Sequence, residues 1–106
     1  MSFLSLADVP EKTPVPGFHA RFVHSATMTV AHWRIEAGAV LPEHEHVHEM
    51  IVNMLEGEFE LTVGGEARVL RAGDVAVIGS NVPHSGRAVT DCRILDVFHP
   101  VRDDYR

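Results

Sequence analysis

The sequence predicts an all-β domain, built as a small barrel or sandwich. Apolar and polar residues alternate in several short runs, as in DCRILDVF near the C-terminus, and a period of two is that of a β-strand. Glycine and proline turns separate these runs at short intervals. No segment shows the period of an amphipathic helix. Such a pattern indicates about eight to ten short strands.

The N-terminal residues 1–17 form a predicted arm that precedes a single domain over residues 18–106. The arm contains Pro10, Pro14 and Pro16 and ends at Gly17. Prolines at this density favour extended segments and turns over helix. An alternative interpretation is an edge strand that is exchanged with a partner subunit.

The first long strand is predicted over residues 26–36. Thr29 and Trp33 share one of its faces, and His32 and Arg34 share the other. Neither face is purely apolar. A barrel with a polar site in its interior would explain this, although His32 and Arg34 could equally lie on a solvated face.

The second half of the chain is divided by turns. Gly64-Gly65 predicts a tight hairpin between two strand-like runs. Gly73-Asp74 predicts another turn, followed by a short apolar strand over 75–78 and a loop over 79–86. The last strands are expected over 87–98, before a polar tail.

Three histidines point to metal chemistry. His44, His46 and His48 occupy alternate positions, so an extended strand would aim all three rings at one point. His84 follows His46 by 38 residues, behind a turn-like NVPHSG. Neutral imidazoles that converge from a rigid support can bind a divalent ion. The alternative is that these histidines are solvent-facing residues of an exposed strand.

Composition excludes several classes of function. The 106 residues include 15 acidic and 9 basic side chains, for a net charge of −6, which argues against nucleic-acid or anionic-membrane partners. No apolar run is long enough to span a membrane. The N-terminus has neither a basic start nor a long apolar core, so we expect no signal peptide. The single cysteine, Cys92, fits a reducing compartment, and we expect a cytoplasmic protein.

Two motifs resemble those of the cupin superfamily. Gly38, the sequence His44-Glu45-His46 and Gly57 resemble the first motif, and Gly73-Asp74 followed by NVPH resembles the second. The resemblance implies a double-stranded β-helix, the cupin jelly-roll barrel, over residues 18–106. It also implies that His44, His46 and His84 are metal ligands near one end of the barrel.

The fourth ligand departs from the family pattern. Cupins usually place a glutamate or glutamine about four residues after the second histidine, where this chain has Met50. Met50 could bind weakly or only line the site, His48 could become a fourth ligand through a bulge, or Glu49 could rotate inward. The histidines suit Zn, Ni, Fe and Cu equally well, and Mn is a further candidate. The sequence therefore does not identify the divalent metal ion.

A closer resemblance covers the histidine segment and the C-terminus. The strings PEHEHVHEM and LDVFHPVRDDY are similar to the pectin-degradation cupins of the KdgF type. Those proteins are implicated in opening the ring of unsaturated uronates from pectin or alginate to give linear keto sugar acids. The resemblance implies that Asp96, Phe98 and Arg102 belong to the active site, and that the substrate is a small carboxylate.

The residues themselves partly support these roles. Asp96 shares a strand face with Ile94 and Phe98, where a carboxylate is costly unless it is paired or functional. In the alternative orientation Leu95 and Val97 would face the core and Asp96 the solvent. A buried Asp96 could act as a general acid or base. Arg102 could hold a substrate carboxylate, or it could be an exposed tail residue.

We therefore expect a metal-dependent, uronate-processing enzyme. Two other functions stay open: an iron-dependent, dioxygenase-like cupin, and a non-catalytic module that binds a metal or small ligand. Because small cupins expose sheet surface and this chain has a proline-rich arm, we also expect a homodimer.

Overall fold

The computed structural model describes residues 2–106. They form ten β-strands and two 3₁₀ turns, Leu6–Asp8 and Asp103–Tyr105. The strands are β1 Lys12–Val15, β2 Phe18–His24, β3 Thr29–Ile35, β4 Val40–His44, β5 Glu49–Glu56, β6 Phe59–Val63, β7 Glu66–Leu70, β8 Val75–Ile78, β9 His84–Ala88 and β10 Cys92–His99. The predicted all-β class is confirmed. No helix within residues 2–106 is long and apolar enough to cross a membrane.

Two antiparallel sheets face each other. One has six strands in the order β1-β2-β3-β10-β5-β8, and the other has four in the order β4-β9-β6-β7. Strands that are distant in the chain lie side by side, as β3 and β10 do, in the arrangement of a jelly roll. The predicted double-stranded β-helix is confirmed.

Alternating side chains build the core between the sheets. On β10 the residues Ile94, Asp96 and Phe98 are buried, whereas Arg93 and His99 are exposed. The same alternation places Thr29 and Ile35 of β3 inside. His32 and Arg34 therefore lie on the outer face of β3. Apart from Asp96, Thr29, His84 and Arg102, the buried residues are hydrophobic.

Glycines allow one tight turn and one close packing contact. Gly64 and Gly65 have φ angles of 54° and 86°, which only glycine adopts readily, and they join β6 to β7 as predicted. A Cβ atom on Gly86 would lie 2.2 Å from the Phe59 ring. Glycine at this position of β9 lets the aromatic ring pack directly on the backbone.

The prediction that one strand holds all three alternate histidines is wrong. His44 ends β4, and β5 begins only at Glu49. Because β4 belongs to the four-stranded sheet and β5 to the six-stranded sheet, the chain must leave one sheet and cross to the other between them. His46 and His48 lie in this crossing, where the carbonyl of His46 accepts a hydrogen bond of 2.8 Å from the Asn81 N–H.

Both chain ends pack more closely than the sequence suggested. Strand β1, within the predicted arm, pairs with β2 of the same chain. The C-terminal tail folds back over the barrel. Arg102 is only 6% exposed, and the Tyr105 ring stacks on Phe22 with centroids 4.2 Å apart. The interpretation of Arg102 as an exposed tail residue is therefore wrong, because aromatic and hydrogen-bonding partners on the barrel bury it.

Candidate metal centre

Three histidines converge at one end of the barrel. His44 and His84 are directly opposite each other in the β4–β9 ladder, and their ring centroids lie 4.2 Å apart. His46 reaches the same point from the crossing, 4.9 Å from His84 between ring centroids. One nitrogen from each ring lies within 4.8 Å of the other two, so the three can share an ion.

Backbone carbonyls orient all three rings in the same way. The Nδ1 atoms of His44, His46 and His84 each lie 2.9 Å from a carbonyl oxygen, of Pro42, His48 and Val82 respectively. A carbonyl can only accept, so each Nδ1 must bear the proton of its ring. Each neutral ring then presents the Nε2 lone pair as the metal ligand, and the carbonyl fixes its direction.

The electrostatic setting favours neutral rings. Burial, and after it the positive charge of Arg102, lowers the pKa of His46 from 6.5 to about 4. Burial also lowers the pKa of His84. Both imidazoles are therefore neutral near pH 7 and do not have to release a proton to bind a metal ion. The donor set fits a divalent transition metal.

The three candidates for a fourth ligand occupy different places. Met50 is 6% exposed and lines the same cavity as the three histidines. The ring centroid of His48 is 5.5 Å from that of His46, but His48 is outside the three-histidine cluster. Glu49 is exposed at the start of β5. The structure thus places Met50, rather than His48 or Glu49, at the cavity wall.

Asp96 is buried in the same cavity. It projects from β10 between the sheets, opposite Ala31 of β3 and Val52 of β5. Its Oδ1 atom has no hydrogen-bond partner within residues 2–106. Burial raises the pKa of Asp96 to about 7, against the opposite influence of the Trp33 indole and the Arg102 guanidinium. This carboxyl group can therefore hold or release a proton near neutral pH.

Arg102 lies between two aromatic rings. Its guanidinium carbon is 4.8 Å from the centroid of Phe98 and 4.1 Å from that of Tyr105. Asp104 accepts hydrogen bonds from Nε at 3.0 Å and from Nη2 at 2.8 Å. These contacts fix the guanidinium plane at the cavity wall. The ring of Phe98 also approaches that of His46, with centroids 5.9 Å apart.

One cavity therefore connects every predicted site residue except His48. His44, His46, His84, Met50, Asp96, Phe98 and Arg102 all line it. The predicted site did not include Trp33 or Tyr105, which line the cavity as well, or Asp104, which orients Arg102. The alternation of β3 grouped Trp33 with Thr29 on one face without deciding which face is inward, and no local signal indicated that the tail returns to the barrel.

Comparison with known proteins decides the family. The model of the Cupin domain matches residues 31–98, which include all three clustered histidines. The chain belongs to the cupin family. This cupin is 33% identical over 70 residues to the pectin degradation protein KdgF of Dickeya dadantii (strain 3937). The match covers 64% of each chain, so this cupin spans somewhat less than two thirds of that relative.

Two solved structures match this cupin over its whole length. The structure of KdgF from Halomonas sp. is 28% identical, with a TM-score of 0.91, and the match covers 100% of this cupin and 99% of that chain. An RmlC-like cupin from Shewanella frigidimarina NCIMB 400 is 24% identical, with a TM-score of 0.93 and coverage of 100% and 96%. The predicted similarity to KdgF-type cupins is confirmed.

Proposed function

We propose that this cupin is a metal-dependent cytoplasmic enzyme that opens the ring of unsaturated uronates from pectin or alginate. The observation that supports this most is the cavity that joins the three histidines to Asp96 and Arg102. It combines a candidate metal site, a proton carrier and a fixed cation. The similarity to two KdgF proteins, one of them named for pectin degradation, suggests the substrate class.

His44, His46 and His84 would hold the ion through their Nε2 atoms. When bound, a divalent metal supplies Lewis acidity to an oxygen of the substrate. The chain contributes neutral ligands whose orientation is fixed before the ion arrives, because each Nδ1–H is already bonded to a carbonyl. Zn, Ni, Fe, Mn and Cu all remain candidates.

Asp96 would move the proton that ring opening requires. A general acid or base works best when its pKa is near the working pH, and burial brings the pKa of Asp96 to about 7. In its ionised form, Asp96 can take a proton from a hydroxyl group. In its protonated form, Asp96 can give that proton to a carbon or oxygen atom.

Arg102 would bind the carboxylate of the uronate. The guanidinium is planar and permanently charged, and it can donate two parallel hydrogen bonds. Phe98, Tyr105 and Asp104 hold it in place. A substrate anchored at Arg102 would extend towards the histidines, because all of these residues line one cavity.

The test is direct. Purified protein is loaded with each candidate metal, metal content is measured by elemental analysis, and unsaturated uronates are added while ring opening is followed by NMR. We expect disappearance of the cyclic form much faster than in buffer. If metal is bound and the rate equals that in buffer, the proposed reaction is rejected.

A second candidate is a non-catalytic module that binds a small ligand, and Met50 favours it. A thioether at the cavity wall is a poor ligand for hard divalent ions. Tight uronate binding without turnover, in both the wild type and Met50→Gln, would support this function. Turnover gained in Met50→Gln would instead show an enzyme weakened by one residue. Oxygen uptake by iron-loaded protein would indicate the dioxygenase-like alternative.

We also propose that the protein forms a homodimer through the outer face of the six-stranded sheet. A row of branched apolar residues crosses five strands there: Val23, Val30, Val97, Ile51 and Val77. Ile51 is 43% and Val77 73% exposed, so association would bury them. Sedimentation should give twice the monomer mass, and Val77→Lys should shift the protein to monomer.

A further inference from the structure

Asn81 has a left-handed backbone conformation in the loop between β8 and β9. Its φ angle is 59°, and within residues 2–106 no other residue except glycine has a positive φ. The backbone N–H of Val82 donates to the carbonyl of Gly79 at 3.3 Å, so residues 79–82 form a β-turn with Asn81 in the third position. A type II turn likewise has a positive φ in this position, which glycine and asparagine tolerate best.

The turn holds one candidate metal ligand directly. The backbone N–H of Asn81 donates its hydrogen bond of 2.8 Å to the carbonyl of His46. His46 lies in the crossing between β4 and β5, outside both sheets, so no strand ladder fixes its backbone. The hydrogen bond from Asn81 therefore ties this ligand to the loop that precedes β9.

The same loop orients a second ligand. The carbonyl of Val82, the next residue after Asn81, accepts the Nδ1 proton of His84 at 2.9 Å. Val82 is held between two anchored neighbours, because the carbonyl of Pro83 accepts a hydrogen bond of 2.9 Å from the N–H of Gly64. The left-handed conformation of Asn81 thus sets the path of the chain that leads to the Val82 carbonyl.

The side chain of Asn81 takes no part in the metal site. It is exposed, its Nδ2 donates to the Oγ of Ser80 at 3.3 Å, and it does not line the cavity. Position 81 contributes its backbone conformation instead. Most L-residues adopt a positive φ only with strain, because Cβ comes too close to the carbonyl oxygen, and residues branched at Cβ resist it most.

We propose that Asn81 is a positioning residue of the metal centre, which aligns His46 and His84 through the left-handed turn. The inference rests on the three-histidine site of the proposed function, but not on the uronate reaction. A residue that resists a positive φ would turn the N–H at position 81 away from His46 and move the Val82 carbonyl away from His84. Both rings would then lose the direction of their Nε2 atoms.

The first experiment compares zinc affinity in a graded series at position 81. Glycine adopts a positive φ freely, alanine resists it and valine resists it more. Isothermal titration calorimetry is performed on metal-free proteins whose folding is verified by circular dichroism. We expect Asn81→Gly to match the wild type, Asn81→Val to bind zinc roughly 10- to 100-fold more weakly, and Asn81→Ala to lie between them. Equal zinc affinities across the series would overturn the inference.

Gly73→Ala is the matched control for backbone strain. Gly73 has a φ of 92° and precedes β8, whereas the loop of Asn81 follows that strand. A Cβ atom at Gly73 would meet nothing within 4 Å, so the substitution adds strain without a clash. It should lower the midpoint of urea denaturation and leave zinc affinity unchanged. A loss of affinity as large as that of Asn81→Ala would show a general effect of instability and would also overturn the inference.

The second experiment observes the rings without metal. Histidine is labelled with ¹⁵N, and long-range ¹H–¹⁵N spectra near neutral pH show which nitrogen of each ring bears the proton. We expect His46 and His84 to be protonated at Nδ1 in the wild type and in Asn81→Gly, and to be mixed tautomers in Asn81→Val. His44, whose Nδ1 is held by the Pro42 carbonyl, is the internal control and should not change. Unmixed Nδ1 tautomers in Asn81→Val would contradict the proposal.

The outcomes separate this inference from the proposed function. Zinc affinity and tautomers that follow the residue at position 81, in a protein that opens no uronate ring, would leave the role of Asn81 intact and reject the reaction. Ring opening by a protein whose zinc affinity is the same for all residues at position 81 would do the reverse. A wild type that binds no divalent metal would overturn both.

Discussion

The backbone N–H of Arg102 donates a hydrogen bond of 2.9 Å to the Oγ1 of Thr29, 73 residues earlier in the chain. Thr29 is fully buried, and its Oγ1 also lies 2.8 Å from the Nδ1 of His24. This contact fastens the start of the C-terminal tail to β3. It therefore sets where the guanidinium of Arg102 enters the cavity.

Replacing Thr29 by valine should detach the tail without changing the size of the core. The buried N–H of Arg102 would lose its acceptor, and we expect the free energy of unfolding to fall by about 1–3 kcal/mol. Urea denaturation measures this. The Arg102 amide should also exchange its hydrogen faster, and KM for a uronate should rise. Thr62→Val, on the outward side of β6, is the matched control and should leave all three unchanged.

Removing one ligand should abolish metal binding while the fold persists. His46 lies between strands rather than within one, so His46→Ala should leave the sheets intact. Substitutions that only misorient a ligand typically weaken binding 10- to 100-fold, so we expect at least a hundredfold loss by isothermal titration calorimetry. His99→Ala, at an exposed position of β10, should bind as the wild type does. Equal affinities in both variants would contradict the assigned site.

The pH dependence of stability should show the buried Asp96. Its pKa is raised from 3.8 to about 7 in the folded protein, so between these values the folded state binds more protons than the unfolded state. The contribution of Asp96 to the free energy of unfolding is fully present below about pH 4 and is lost as the pH rises to about 7. His46 and His84 act in the opposite direction, because their lowered pKa values reduce stability as pH falls.

Comparison with Asp96→Asn isolates this contribution in the metal-free protein. The difference in unfolding free energy, variant minus wild type, should grow by roughly 4 kcal/mol between pH 4 and pH 8. Urea denaturation at several pH values measures it. The same variant should lose ring-opening activity although it is more stable at pH 8. A difference that does not change with pH would show that Asp96 titrates normally.

Local signals in the sequence predicted the architecture. Alternation placed Ile94, Asp96 and Phe98 on one face, and Gly64-Gly65 marked a hairpin, because both features depend on a few neighbouring residues. The cupin motifs added His84 to the histidine pair, and the structure brings His44, His46 and His84 together. The catalytic roles of Asp96, Phe98 and Arg102 stay predictions.

Long-range contacts explain what the sequence did not reveal. The three alternate histidines were assigned to one strand because their spacing fits one, but the crossing between sheets begins after His44. Whether the tail is solvated or docked depends on Thr29, 73 residues before Arg102, and on Phe22, 83 residues before Tyr105.

Met50 offers the sharpest test of what this site binds. Met50→Gln would place an amide oxygen at the cavity wall, and hard ions prefer oxygen ligands. We expect Mn²⁺ affinity to rise about tenfold relative to the wild type, since one added ligand is worth on the order of 1.4 kcal/mol. Without metal, the buried amide should lower the free energy of unfolding by about 1–3 kcal/mol.

Met54→Gln is the matched control for this prediction. Met54 lies on the same inward face of β5, 2% exposed, but it does not line the cavity. Its replacement should destabilise the protein in the same way, with no gain in Mn²⁺ affinity and no recovery of stability when metal is added. If Met50→Gln behaves like Met54→Gln in both calorimetry and denaturation, then position 50 does not contact the ion. The fourth ligand would then have to come from His48, Glu49 or the substrate.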